Sequence, residues 1–177
     1  DLTLGVEDLP AVERMHALKT ASYTTVGPIR MGLRLGSPKR GPGVDEALDR
    51  YALAVGIAFQ LRDDILGTFG DPRVTGKPAA SDVREGKRTA LVCESFARLS
   101  APERLAFAAA LDEAKSRASA VTEVLSWMEQ TGVREATERR IAEHLVTARA
   151  ALASVDLNPP ARDVFLVLAE LAAHRSA

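Results

Sequence analysis

The residues best suited to chemistry stand at the end of an apolar stretch, Phe59-Gln60-Leu61-Arg62-Asp63-Asp64-Ile65-Leu66-Gly67. Gln60, Asp63, Asp64 and Gly67 follow three-and-four spacing, which puts them on one face of a helix. Two adjacent carboxylates among Ile65, Leu66 and Phe69 are costly to desolvate unless a cation or donors compensate them, and hard oxygen ligands suit magnesium. Spacing alone leaves a second reading open, a solvated acidic helix end. Against it stands the dipole, which disfavours negative charge at a helix carboxyl terminus.

Cations gather just downstream. The stretch Phe69-Gly70-Asp71-Pro72-Arg73-Val74-Thr75-Gly76-Lys77-Pro78 is followed by Asp82, Arg84, Lys87 and Arg88. Such mixed charge suits a metal-bridged diphosphate, in which magnesium takes some phosphate oxygens and Lys or Arg takes others. The same residues would also serve as surface ion pairs. A Walker loop is excluded, because the glycines that precede Gly-Lys-Ser/Thr in that motif are missing. His16, His144 and His174 are too scattered for a local metal motif, and no Ser/His/Asp or Cys/His arrangement offers a nucleophile. Cys93, the one cysteine, follows Ala-Leu-Val, which predicts a packed thiol and excludes an internal disulfide.

The elements that must position these groups read as helices throughout. With 177 residues and 46% hydrophobic content, the chain can bury the core of one domain, taken as residues 1–177. Its 23 Lys and Arg balance 24 Asp and Glu, so no global charge points to nucleic acid or an acidic membrane. No apolar run approaches spanning length, and Asp1-Leu-Thr-Leu-Gly lacks the features of a secretory signal, so a cytoplasmic protein is expected. Sustained strand alternation is absent and Ala and Leu dominate the second half, which predicts an all-α fold. Helices are predicted over Leu9 to about Thr25, with a kinked break at Gly27-Pro28, and over Val44–Leu66. A turn-rich connector spans Gly36–Gly43, and a loop is expected over Gly67–Gly86, where four glycines and two prolines fall. Further helices are predicted over Lys87–Leu99, Pro102 to about Ser116, Ala118–Gln130, Arg134–Ser154 and Pro160–His174. Ser100 and Asn158 are set as caps before prolines, and Gly132 separates two helices.

Phe59-Gln-Leu-Arg-Asp-Asp-Ile-Leu-Gly-Thr-Phe-Gly-Asp, then Val-Thr-Gly-Lys, then Ser-Asp-Val-Arg-Glu-Gly-Lys-Arg-Thr89, resembles the second aspartate-rich region of trans-type isoprenyl diphosphate synthases, the polyprenyl synthetase family. The details are most similar to the carboxyl-terminal half of geranylgeranyl diphosphate synthases of high-GC bacteria. Upstream, Leu18-Lys19-Thr20-Ala21-Ser22-Tyr23 is similar to the family's Lys-Thr motif. The resemblance implies an all-helical isoprenoid synthase bundle and a Mg2+-dependent prenyltransferase. Its reaction ionises an allylic diphosphate, lets isopentenyl diphosphate attack the cation, and loses a proton, giving geranylgeranyl diphosphate or a similar product. Residue by residue, it implies magnesium roles for Asp63 and Asp64, catalytic roles for Lys19 and Thr20, and diphosphate contacts for Lys19, Gln60, Lys77 and Lys87. Asp82 is a weaker candidate for orienting the site.

Two departures stand out. Gly67 occupies the place where many members carry a third aspartate, with Asp71 close enough in sequence to substitute. No first aspartate-rich motif occurs before Lys19, so a truncated chain with half of its metal site missing is expected. Such a chain would work as a homodimer, or beside the missing amino-terminal half. Two other readings compete: a non-enzymatic subunit or degenerate paralogue that modulates a complete synthase, and a terpene cyclase or other helical diphosphate-binding protein. The latter is opposed by the absence of an Asn/Asp-x-x-Ser/Thr-x-x-x-Glu pattern at the corresponding helix.

Overall fold

A computed structural model of the chain describes residues 9–36 and 41–176. It is all-α, with no strand among the described residues. The helices are α1 (Leu9–His16), α2 (Gly27–Leu35), α3 (Val44–Phe69), α4 (Pro72–Thr75), α5 (Ser81–Arg84), α6 (Ala90–Arg98), α7 (Ala101–Glu113), α8 (Ala118–Thr131), α9 (Val133–Ala153) and α10 (Pro159–His174). A π-helical stretch, Ala17–Val26, joins α1 to α2. No helix among the described residues is long and apolar enough to cross a membrane.

The break predicted at Gly27-Pro28 does not occur; the chain stays helical from Leu9 to Leu35. The Gly27 N–H donates to Ser22 O, five residues back, which is the wide π turn. Pro28 has no N–H to give, and the wider turn before it lets the helix run on without that bond. Part of the predicted Gly36–Gly43 connector, residues 37–40, lies outside the described residues, as does the amino-terminal pentapeptide.

The described residues fall into two compact units. Among them, one comprises residues 9–13, Asp63–Glu138 and Ser176; the other comprises residues 14–36, 41–62 and Arg139–Arg175. In the first unit α8 packs against α5, α6 and α7. Phe96 and Phe107 meet edge to face with centroids 4.9 Å apart, among buried Leu91, Val124, Met128 and Val133. Cys93 is buried there, as its apolar setting predicts. Caps set the boundaries. Thr89 accepts from Val92 N–H at the start of α6, and Ser100 exchanges hydrogen bonds with Glu103 in a capping box at the start of α7. Lys87, the predicted helix start, therefore stands before α6 rather than inside it, three residues ahead of the observed start at Ala90.

In the second unit the apolar row Val44, Ala47, Leu48, Tyr51, Val55, Ala58 and Leu61 of α3 is buried at helical spacing. The Tyr51 hydroxyl donates to Phe165 O at 2.6 Å while its ring meets Phe165 edge-on. Arg62 Nε caps the carbonyl of Ala173 at 2.6 Å near the end of α10. Two apolar rows stay exposed in this unit: Leu18, Tyr23, Met31 and Leu35, and Val164, Val167, Leu168 and Leu171 along α10.

Candidate functional site

The carboxylates stand more than a turn inside α3, because that helix runs through Gly67 and ends at Phe69. The predicted end at Leu66 is therefore three residues short, and the acidic pair is not a helix terminus. The two aspartates differ sharply. Asp64 is 3% exposed, and its Oδ2 accepts the N–H of Ala90, the first residue of α6, at 3.1 Å. That is a carboxylate at the positive end of a helix, tying α3 to α6. Asp63 keeps 34% of its side chain exposed, with Lys77 Nζ 3.8 Å from its Oδ1.

The segment predicted as loop holds two single-turn helices, α4 and α5. Asp71 caps α4, accepting from Arg73 N–H at 2.9 Å and pairing with the Arg73 guanidinium. Those two hydrogen bonds hold its carboxyl below the usual range. Asp71 thus serves the loop itself, rather than standing in for a carboxylate at position 67. Thr75 Oγ1 donates to Asp71 O at 3.1 Å and accepts from Lys77 N–H at 3.3 Å, which sets the lysine's backbone. Arg84 Nε donates to Ala79 O, closing the next turn.

Asp82 is 6% exposed and accepts from Lys87 Nζ at 2.8 Å. Lys87 also reaches Glu85 at 2.9 Å. The hydrogen bond it donates to Asp82 first, and the one to Glu85 second, push the Lys87 ammonium above its ordinary value, so it stays charged.

In the second unit Thr20 is buried in the π-helical stretch, and its hydroxyl lies 2.8 Å from Gln60 Oε1 of α3. Lys19, beside it, is exposed. Thr25 donates to Ala52 O at 2.7 Å. A Cβ added to Gly56 would stand 2.4 Å from Ala21 Cβ and 2.6 Å from Thr25 Oγ1, so the π stretch lies directly on the bare backbone of α3. Sequence reasoning passed over Gly56, although a glycine inside the apolar run Ala-Val-Gly-Ile-Ala is a signal of close backbone approach. His16 is 4% exposed; burial, and then the charge of Lys19, push its imidazole down to about 4. His174 pairs with Glu170, and neither it nor His16 belongs to a metal cluster.

No group of three or more His, Cys, Asp or Glu among the described residues is arranged to hold a metal alone. Magnesium seldom needs such a cage: one or two carboxylates, waters and substrate phosphates suffice. A half-exposed Asp63 with a cation beside it fits a metal that arrives with phosphate oxygens.

The family model for polyprenyl synthetase matches residues 4–128. A geranylgeranyl pyrophosphate synthase of Corynebacterium glutamicum, solved with isoprenyl diphosphate and magnesium, superimposes with a TM-score of 0.84 at 34% identity, covering 96% of this chain and 47% of that one. A geranylfarnesyl diphosphate synthase of Aeropyrum pernix is 44% identical over 80 residues, 44% of this chain and 24% of the relative. A short chain isoprenyl diphosphate synthase of Methanothermobacter thermautotrophicus is 28% identical over 176 residues, 98% of this chain and 53% of the relative. The chain thus spans about half the length of the proteins it matches along its whole extent.

Proposed function

Because the chain belongs to the polyprenyl synthetase family, we propose that it is the carboxyl-terminal part of a prenyltransferase that condenses an allylic diphosphate with isopentenyl diphosphate. The product is geranylgeranyl diphosphate or a prenyl diphosphate of similar length. The observation that carries this reading is the half-exposed Asp63 with Lys77 at 3.8 Å, one carboxylate and one exposed cation side by side on an α3–loop scaffold.

Each residue then has a task. Lys77 and Lys87 contact diphosphate oxygens as compact point charges, and Lys87 is kept charged by Asp82 and Glu85. Lys19 supplies a further cation, with Thr20 and Gln60 fixed against each other beside it. Asp63 and Asp64 would hold magnesium, which when bound neutralises charge on the diphosphate leaving group. The allylic C–O bond breaks and the lysines stabilise the charge gathering on the departing diphosphate. The isopentenyl double bond attacks the allylic cation, and the proton lost from the new cation goes to the diphosphate.

The first aspartate-rich motif has no counterpart before Lys19, so we read the other half of the metal site as coming from outside these 177 residues. The exposed rows on the π stretch, α2 and α10 support that reading, since bundle helices bury such rows against neighbours. The whole chain is read as one domain, and the family's habit makes a cytoplasmic homodimer the expected working form. A regulatory or catalytically incomplete subunit that packs with a complete synthase is the second reading, favoured by Gly67 in the place where many family members carry a third aspartate.

The test is magnesium-dependent incorporation of isopentenyl diphosphate into longer prenyl diphosphates, by the protein joined to the amino-terminal half of a relative and, separately, by a complete homologue to which the protein is added. Incorporation by the joined protein that Asp63→Ala abolishes supports the synthase. No incorporation by the joined protein, with altered rate or product length in the homologue, supports the subunit; silence in both sinks both readings.

A further inference from the structure

Gly67 continues the three-and-four row of Gln60, Asp63 and Asp64 with no side chain. Its place is not empty. A Cβ added there would lie 2.1 Å from Asp82 Oδ2, 2.5 Å from its Cγ and 2.9 Å from its Oδ1. Non-bonded atoms do not approach so closely, so a side chain at 67 and the carboxylate of Asp82 exclude one another. Nor is Asp82 free to swing aside. Its Oδ1 accepts from Lys87 Nζ at 2.8 Å, its carbonyl accepts from Lys87 N–H at 2.9 Å, and the neighbouring Ser81 hydroxyl lies 3.4 Å from Gly67 O. Asp82 and Ser81 are both buried.

A glycine inside a helix weakens it, so it needs a reason, and here the reason is the carboxylate pressed onto the bare backbone. Residue 67 lies one turn beyond Asp63 on the same face of α3. We propose that Asp82 supplies from the loop the carboxylate that position 67 lacks, that Gly67 is glycine to admit it, and that Asp82 acts as a positioning residue, presenting Lys87 to the diphosphate. Its functional half rests on the prenyl diphosphate reading above; its geometric half does not.

The consequence runs against sequence intuition. Gly67→Asp, which completes the acidic row on paper, damages the site, because two carboxylates then compete for one space. The exchange is reciprocal, so Gly67→Asp combined with Asp82→Gly relieves the clash.

Two measurements on the protein and its variants test this: calorimetric binding of inorganic pyrophosphate with magnesium, and thermal unfolding. Each single variant, Gly67→Asp and Asp82→Gly, is expected to bind about tenfold more weakly, the scale of one charge-assisted contact, and to unfold at lower temperature. The double variant regains most of both losses. Asp82→Asn keeps the volume but weakens the hold on Lys87, so it unfolds near the wild type while binding as weakly as Asp82→Gly. A mere packing role would leave that binding unchanged. Additive losses in the double variant overturn the proposal, as does a Gly67→Asp protein that binds as tightly as the wild type, or an Asp82→Asn protein that does. A wild-type protein that binds no magnesium pyrophosphate overturns the diphosphate reading, and with it the role of Lys87. The thermal cycle then decides the shared position alone, recovery upholding it and additivity rejecting it.

Discussion

Thr20 and Gln60 meet at 2.8 Å where the π-helical stretch lies on Gly56, whereas Lys77 reaches Asp63 across 3.8 Å from an exposed segment tied down by hydrogen bonds between its own neighbouring residues. The first region holds its polar groups by shape: backbone against backbone, with no room for one added carbon. The second holds them by local caps and ion pairs such as Asp71 with Arg73, each modest and screened by solvent. The contrast separates two demands. Close packing fixes where Gln60 and Thr20 stand, and it carries stability. A loosely held cation keeps its conformational freedom, which the proposed diphosphate contact would use, and it carries little stability.

The sharpest way to break the packed region is Gly56→Val. Its branched side chain would drive into Ala21 and Thr25, and overpacking of this kind costs about 3 kcal/mol, against which the gain in helix propensity is about 1 kcal/mol or less. A large fall in melting temperature is expected. A Tm within a few degrees of the wild type would mean that the π stretch shifts readily, and the contrast between the regions would lose its basis.

Acid should also strike the packed region first. His16 has an ordinary value of 6.5 and a folded value of about 4, so between those pH values the unfolded chain binds more protons than the folded one. The stability tied to a neutral His16 is complete above pH 6.5, declines as pH falls, and is exhausted near pH 4. The total is on the order of 3 kcal/mol. Carboxylates with lowered values, such as Asp49 and Asp71, lose their contribution only further down. Denaturant unfolding from pH 7 to pH 4.5 should therefore show a slope that His16→Leu removes; an unchanged slope assigns it elsewhere.

Asp64 sharpens the comparison from the other region, since it is the one member of the acidic pair held as rigidly as Thr20. Asp64→Leu strips Ala90 N–H of its acceptor in a buried setting, a loss of about 2 kcal/mol. Exchange of the Ala90 amide should accelerate with it. An equal effect from Asp63→Leu would erase the distinction between the buried anchor and its half-exposed neighbour.

Much of this was legible beforehand, and the failures share a cause. The long helices α3 and α7–α10 announce themselves by apolar period, and the starts of α7 and α10 by Ser100 and Asn158 before prolines. The π stretch does not, because Ala17–Val26 has the composition of an ordinary helix. Its wide turn accompanies tertiary contact with Gly56 and the missing N–H of Pro28. The apolar period alone puts Lys87 inside a helix because it is blind to the Thr89 cap. At the site, the sequence singled out Asp63, Lys77, Lys87, Thr20 and Gln60 as types in a pattern, but the unlike fates of Asp63 and Asp64 depend on where α6 begins. Gly67 looked like a loss because its partner, Asp82, comes from a different element.

The smallest expected effect on stability is the most telling for the contrast. Lys77 is exposed, and its nearest carboxylate lies at 3.8 Å, the outer edge of an ion pair, so Lys77→Ala should leave the melting temperature within about a degree of the wild type. Its ammonium would nevertheless be one of the few charges placed to meet a diphosphate beside Asp63. Binding of magnesium pyrophosphate should fall about tenfold, the scale of one charge-assisted hydrogen bond. Lys77→Arg should recover part of that loss, since charge is kept while geometry changes. Raising the salt concentration should weaken the wild type more than Lys77→Ala, because only the wild type has the screened contact to lose. If Lys77→Ala instead lowers stability and leaves binding intact, the loop is a structural clamp, and the division of labour between the two regions is reversed.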